Sequence, residues 1–193
     1  MANQSKRVWT FLVYPESVKE SWKSDLDEKF IPFVCSPLHS SDLNEDGSTK
    51  KPHYHVILIF EGKKTYQSIR EITDSINATI PFPVMDTRKM IRYLIHIDNP
   101  EKAQYEIRDI ENHAGLDISK YFLPTSEESL HILADIMKFI EDNSITEFCS
   151  FESYCRECRF DDWYYTFKCE KHFIDMKIRS LRNALKNITG VSQ

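Results

Sequence analysis

Glycine is scarce in this chain: four in 193 residues. That excludes a low-complexity or collagen-like chain, and it leaves few places for a glycine-rich phosphate loop. Also missing is any apolar run approaching the roughly 20 residues that a membrane-spanning helix needs. The N-terminal MANQSKRVWTFLVYP carries a basic pair, but its apolar segment is short and stops at Tyr14-Pro15. It reads as a first strand and not as an export signal. The expectation is a cytoplasmic protein with no membrane partner, its five cysteines mostly reduced. A surplus of positive charge is absent as well: 25 Lys+Arg against 30 Asp+Glu give a net charge of −5. This weighs against a protein that coats nucleic acid by bulk electrostatics, but not against a site that grips a few phosphates with a metal ion and a handful of cations. A basic run closes the chain, where Lys177, Arg179, Arg182 and Lys186 follow Asp175. It reads either as a solvated helix face or as a small DNA-facing patch.

What is present is ordinary globular material, 41% hydrophobic, enough for one good core or two small ones. The β-formers of 8–15 predict a strand, and Val18, Trp22 and Leu26 predict a helix over 16–30. A short strand at 32–39 and a polar loop at 40–52 precede the clearest strand, HYHVILIF at 53–60. EGKK (61–64) reads as a turn, and Ile69, Ile72 and Ile76 stripe a helix over 65–77. A strand at 82–87 and a helix at 88–97 follow, then polar irregular chain from 98 to 124. After Pro124 the pattern becomes wholly helical, with helices at 126–143, 144–158 and 163–185. The fold class is α+β: an antiparallel sheet covered by helices over 1–123, followed by a small all-helical domain over 124–193. About 70 residues make a small core, so the second domain is expected to lean on a neighbour or to oligomerise.

The stretch KKPHYHVILIF (50–60) concentrates its polar chemistry at one end. In a strand, residues i and i+2 share a face, so His53 and His55 point one way and Tyr54 and Val56 the other. Two imidazoles on one face either cap the strand or bind a divalent metal ion. The preceding segment SPLHSSD offers His39 and Asp42, and pairing of the two strands would bring them to the histidine pair. Three imidazoles and a carboxylate suit Mn²⁺ or a similar ion with positions left open for a substrate oxygen.

Downstream, RKMIRYLIHI gives Met90, Ile91, Leu94 and Ile95 one apolar face and places Lys89, Tyr93 and His96 on another. Tyr93 is either a rim residue of the core or a phenol presented beside positive charge, where phenolate character and phosphate approach are favoured. In the helical part, Cys155, Cys158, Cys169 and His172 have the spacing of a Cys₃His zinc site. Their flanks are aromatic and helical and contain no glycine-bearing knuckle turn, so buried helical cysteines are the competing reading.

Taken together, TFLVYPES, SPLHSSD, KKPHYHVILIF and MIRYLIH resemble the HUH endonucleases, and more closely the replication initiator proteins of rolling-circle plasmids in Gram-positive bacteria. The resemblance covers roughly residues 8–123. It implies a five-stranded antiparallel sheet flanked by helices, a bacterial cytoplasmic location, and Mn²⁺ or Mg²⁺ held by His39, Asp42, His53 and His55. It further implies that Tyr93 attacks a phosphate at the plasmid's double-strand origin, which is single-stranded at the nick, leaving a 5′-phosphotyrosyl link and a 3′-OH primer. Host helicase and polymerase would be partners, and the C-terminal domain would serve homo-oligomerisation. Lys50, Lys51, Lys63, Lys64, Arg88, Lys89 and Arg92, with His96, are the expected phosphate contacts because they flank the proposed site. Two other readings stay open: an origin-binding regulatory protein that does not cut, and a 2H-type phosphoesterase suggested by His39-Ser40-Ser41. The latter class needs two such hydroxyl-bearing motifs, and His53-Tyr54-His55 lacks the hydroxyl.

Overall fold

The computed structural model describes residues 5–44 and 46–189. The chain divides between Phe122 and Leu123 into two compact units. The first is an antiparallel sheet with helices and the second is helical, so the α+β class holds.

The sheet has five strands: β1 (Ser5–Val13), β2 (Phe33–Cys35), β3 (Tyr54–Thr65), β4 (Phe82–Pro83) and β5 (Glu111–Asn112), in the order β4-β1-β3-β2-β5. β3 is central because Val56, Ile57 and Leu58 are apolar on successive positions and all buried, which suits a strand covered on both faces. Alternation then sorts the core. Val56 and Leu58 join Trp9, Phe11, Val13, Phe33 and Cys35 in one cluster, under Trp22 and Leu26 of α1 (Trp22–Glu28) and Ile69 of α2 (Tyr66–Ser75). Ile57 joins Val34, Ile91, Leu94, Ile95 and Ile110 in a second cluster on the opposite face, under α3 (Thr87–Tyr93). His53 and His55 have the parity of Ile57 and therefore stand on the α3 face.

Several elements differ from the sequence expectation, each for a local reason. The 16–30 helix shrinks to α1, because residues 15–21 turn first and Phe30 takes a positive φ of 53° just past its end. EGKK does not end its strand. β3 continues to Thr65, where Ser5 and Lys6 of β1 re-pair with Thr65 and Lys64 across a register shift. The strand expected at 82–87 is only two residues long, because Asp86 instead caps α3, its side chain accepting from the Lys89 N–H at 3.0 Å. Within the expected irregular chain, Glu111–Asn112 pairs with β2. The helix expected at 88–97 stops at Tyr93. Residues 94–97 are turns, and His96 is in the left-handed region at φ 58°.

In the second unit, α4 (Ser126–Asp142) begins with a complete capping box between Thr125 and Glu128. α5 (Phe148–Cys158) follows, and the single helix expected at 163–185 is two, α6 (Tyr164–Cys169) and α7 (Lys171–Thr189), broken at Glu170. Ile136, Ile140, Phe151, Cys155, Trp163, Phe167, Ile174 and Ile178 form its core. No helix among the described residues is long and apolar enough to cross a membrane.

Asp86 sets where the tyrosine-bearing helix starts. Asp86→Ala is expected to lower stability by about 1 kcal/mol, the usual loss for an N-cap, as measured by chemical denaturation. An unchanged midpoint would show that α3 is held by packing alone.

Candidate active site

β2 and β3 separate after Cys35 because Pro37 has no N–H to give the ladder. Ser36 bridges the gap. Its N–H donates to the His55 carbonyl at 2.9 Å, and its hydroxyl accepts from the His55 N–H at 2.9 Å. The chain rejoins at His39, which exchanges backbone hydrogen bonds with His53 at 2.9 and 3.2 Å. His39, His53 and His55 are thereby gathered so that one ring nitrogen of each lies within 4.8 Å of the others. Asp42 is held by the returning loop, its carbonyl accepting from the Lys50 N–H at 2.7 Å. The loop reverses at Gly47, whose φ of 81° favours glycine.

The hydrogen atoms on these imidazoles can be placed, because a carbonyl oxygen can only accept. His39 Nε2 lies 2.9 Å from the Leu94 carbonyl, His53 Nδ1 2.9 Å from that of Lys51, and His96 Nδ1 2.8 Å from that of Ala103. Each of those nitrogens carries the proton, so in the neutral rings the other nitrogen is a bare lone pair. His39 Nδ1 and His96 Nε2 both sit 3.7 Å from Asp42 Oδ2. His39, Asp42 and His96 form a second group of three ligand atoms within 4.8 Å, all buried. His39 Nδ1, Asp42 Oδ1 and His96 Nε2 have no hydrogen-bond partner. Acceptors turned toward one another in a buried place with no donor between them fit a divalent cation. Burial pushes His39 down to about 4 and His55 down to about 2, because a proton on either ring would be poorly solvated beside the other imidazoles. Both rings are therefore neutral at pH 7, the form that binds metal.

Tyr93 ends α3 on the same side. Its ring meets that of His55 edge-on, with centroids 5.1 Å apart, and that of His96 at 5.0 Å. Tyr93, Asp42, His53, His55, Lys50 and Lys51 line one cavity of about 560 Å³. The structure thus brings together Tyr93, the four expected ligands and two of the expected phosphate contacts. Lys51 is also paired with Glu16 and lies over the Tyr14 ring.

Other expected contacts fall elsewhere. Lys63 and Lys64 lie at the opposite end of β3 from His55, since the strand runs on instead of turning. Arg92 makes a bidentate pair with Asp98 at 2.6 and 2.8 Å. His96 is fully buried against Asp42, because the helix that would have shared a face with Lys89 and Tyr93 has already ended. Lys89 lines a more apolar groove on the other side of Tyr93, with Met85 and Met90. In the helical unit, the Cys155, Cys158, Cys169 and His172 side chains do not converge into a metal-sized group among the described residues. Cys155 is instead a core residue whose thiol burial pushes up to about 12, while Cys158 and Cys169 are exposed.

Three residues of the site escaped the sequence reading. Ser36 repairs the ladder, Tyr105 stacks on His39 with centroids 4.6 Å apart, and the Lys102 ammonium donates to the Tyr93 hydroxyl at 2.5 Å. Pro37 was the available signal for the first. The other two lie in the segment 98–124, which has no periodicity to read.

The site is thus an antiparallel sheet with a histidine cluster at one end of its central strand and a tyrosine on the covering helix. The family follows from comparison with known proteins. Residues 1–119 match the family described as plasmid replication protein, origin binding domain, and residues 126–183 match replication protein RepB, C-terminal. The chain belongs to this family of plasmid replication proteins. A "Replication protein" of Staphylococcus aureus is 38% identical over 162 residues, 84% of this chain and 81% of that one. "Replication protein RepB" of Lactiplantibacillus plantarum is 39% identical over 149 residues, 77% and 67% of the two chains. A RepB of Streptococcus agalactiae is 29% identical over 150 residues, 72% and 71%.

The depressed histidines give the metal-free protein a pH signature. Unfolded histidines protonate near 6.5, but folded His39 does so only near 4 and His55 near 2. The unfolded state therefore binds more protons below 6.5, and stability that is complete above that value declines as pH falls. In chelator, the denaturation midpoint should drop between pH 6.5 and 5, above the carboxylate range, and less steeply in His55→Gln. A flat profile across that window would contradict the neutral assignment.

Proposed function

We propose that the first unit binds plasmid origin DNA and nicks one strand by attack of Tyr93 on a phosphate, leaving a 5′-phosphotyrosyl link and a 3′-OH that primes rolling-circle replication. The observation that carries this reading is the shared cavity. A phenol, three imidazoles in or beside it, a buried carboxylate and two lysines face one volume of about 560 Å³.

His39, Asp42, His53 and His55 would hold Mn²⁺ or Mg²⁺: the three rings offer nitrogens within 4.8 Å of one another, and Asp42 lies against His39. The chemistry such an ion supplies when bound is neutralisation of charge on the phosphoryl oxygens. The remaining work belongs to side chains of this protein. Lys50 and Lys51 at the rim attract the phosphodiester backbone to a chain that is acidic overall. The Tyr93 oxygen forms a bond to phosphorus while the bond to the 3′ oxygen breaks. The phenolic proton passes to solvent, and the 3′ oxygen takes one up. The link conserves the phosphodiester bond energy, so a later 3′-OH can displace the tyrosine and rejoin the strand. Host helicase and polymerase would act on the nicked origin.

Incubation with Mn²⁺ and labelled single-stranded oligonucleotides tiling the origin should give a cut and a protein–DNA adduct. Tyr93→Phe should lose both, by at least about 1000-fold, since it removes the attacking oxygen. Cutting that persists in Tyr93→Phe would transfer the role elsewhere, and origin binding without any cut would leave a non-cutting initiator.

The helical unit is proposed to serve self-association. Leu130 of α4 and Phe173 and Met176 of α7 are more than half exposed. Light scattering should give an oligomer that Phe173→Glu reduces to a smaller species, and a monomeric wild type at micromolar concentration would dismiss the idea.

A further inference from the structure

We propose that Lys102 is a catalytic residue that stabilises the Tyr93 oxygen as it enters and leaves phosphorus. This rests on the nicking reading and deepens it.

Lys102 lies nine residues beyond the tyrosine, in a loop with no regular structure, and yet its backbone is fixed from both sides. The Asn99 N–H donates to the His96 carbonyl at 2.8 Å, and the Lys102 N–H donates to that of Asn99 at 3.0 Å. The Gln104 side-chain amide donates to the carbonyls of Asn99 and Lys102 at 2.8 and 3.0 Å. His96 Nδ1–H donates to the Ala103 carbonyl, and the Tyr105 N–H to the Ile95 carbonyl at 3.3 Å. The left-handed turn at His96 folds the chain back over the end of α3. The result is an ammonium 2.5 Å from the Tyr93 oxygen and 4.4 Å from its ring centroid. A short bond from a half-buried ammonium is a strong, charge-assisted one.

The chemistry needs a group there. In nicking, the phenol and a phosphodiester become an aryl phosphodiester and a 3′-OH, the phenolic proton leaving to solvent and the 3′ oxygen gaining one. In joining, the same bonds reverse and the phenolic oxygen is the leaving group. In both directions negative charge gathers on that oxygen, and a fixed positive donor at hydrogen-bond distance lowers the energy of that state. Lys102 bonds the nucleophile's oxygen directly, while the four metal-ligand candidates would act on the phosphoryl oxygens through the ion, so the two roles are separate.

The test uses the full-length protein, Mn²⁺ and a single-stranded origin oligonucleotide, with nicking and joining rates measured at saturating DNA. Lys102→Met should slow both by on the order of 100-fold, as for loss of one donor to a developing oxyanion. Lys102→Gln, which keeps a donor without the charge, should also be slow, and Lys102→Arg should recover about tenfold. DNA affinity, measured in a Tyr93→Phe background, should change by less than about threefold when Lys102→Met is added. Circular dichroism and the melting temperature check the fold, and Lys102→Arg and Lys102→Gln stand in if Lys102→Met is unstable. Wild-type rates in Lys102→Gln, or a loss that disappears at high DNA concentration, would overturn the inference by making Lys102 a spectator or a phosphate contact. No adduct from the wild type would instead overturn the nicking reading, and this inference with it.

Discussion

Four imidazoles and one carboxylate are packed at one end of the central strand, and three of the rings turn an N–H out to a backbone carbonyl and a lone pair the other way. The rest of the first unit is arranged around that constraint. Buried acceptors facing one another are unfavourable unless a cation or its equivalent lies between them, and three of the four rings are held against turning away. His39 is fixed by Leu94, His53 by Lys51 and His96 by Ala103. Those carbonyls belong to three different stretches of chain, so the cluster forms only when β3, the loop before it and the turn after α3 are all in place.

The sheet makes that assembly possible through parity. One face of β3 carries Val56 and Leu58 into the larger core with Trp9, Phe11 and Phe33, and the other carries Ile57 toward Ile91 and Leu94. The same alternation, extended toward the N-terminal end of the strand, delivers His53 and His55 to the α3 face. The Asp86 cap and the stop at Tyr93 make α3 short, so the tyrosine is its last residue and the chain can double back at once through His96 to Lys102. A longer helix would have carried His96 onto its surface and left Asp42 without its second imidazole.

This explains what could be read beforehand. The central strand, its histidine pair, the two-sided core and the helical character after Pro124 follow from local periodicity, and the structure agrees with the fold class they imply. His39 and Asp42 were visible as residue types but needed the pairing of β2 with β3 to be joined to the pair. The places where the reading failed are those where non-local contacts decide. Lys63 and Lys64 sit within a strand because β1 reaches back to them, and His96 is buried because a helix ended early. Lys102 meets Tyr93 through a loop ordered by hydrogen bonds within itself and to the turn after α3. Arg92 looked like a phosphate contact because its pairing with Asp98 depends on the turn at 94–97. The cysteines of the second unit have metal-like spacing along the chain, but a helix break at Glu170 and the burial of Cys155 separate them.

The measurement that tests the account most directly is anomalous diffraction at the manganese edge, from crystals of the protein grown with Mn²⁺ at neutral pH. One strong peak bounded by His39, Asp42, His53 and His55 is the expected result. A cluster without a peak, or manganese found only at exposed carboxylates, would contradict it and leave the buried lone pairs in need of another explanation.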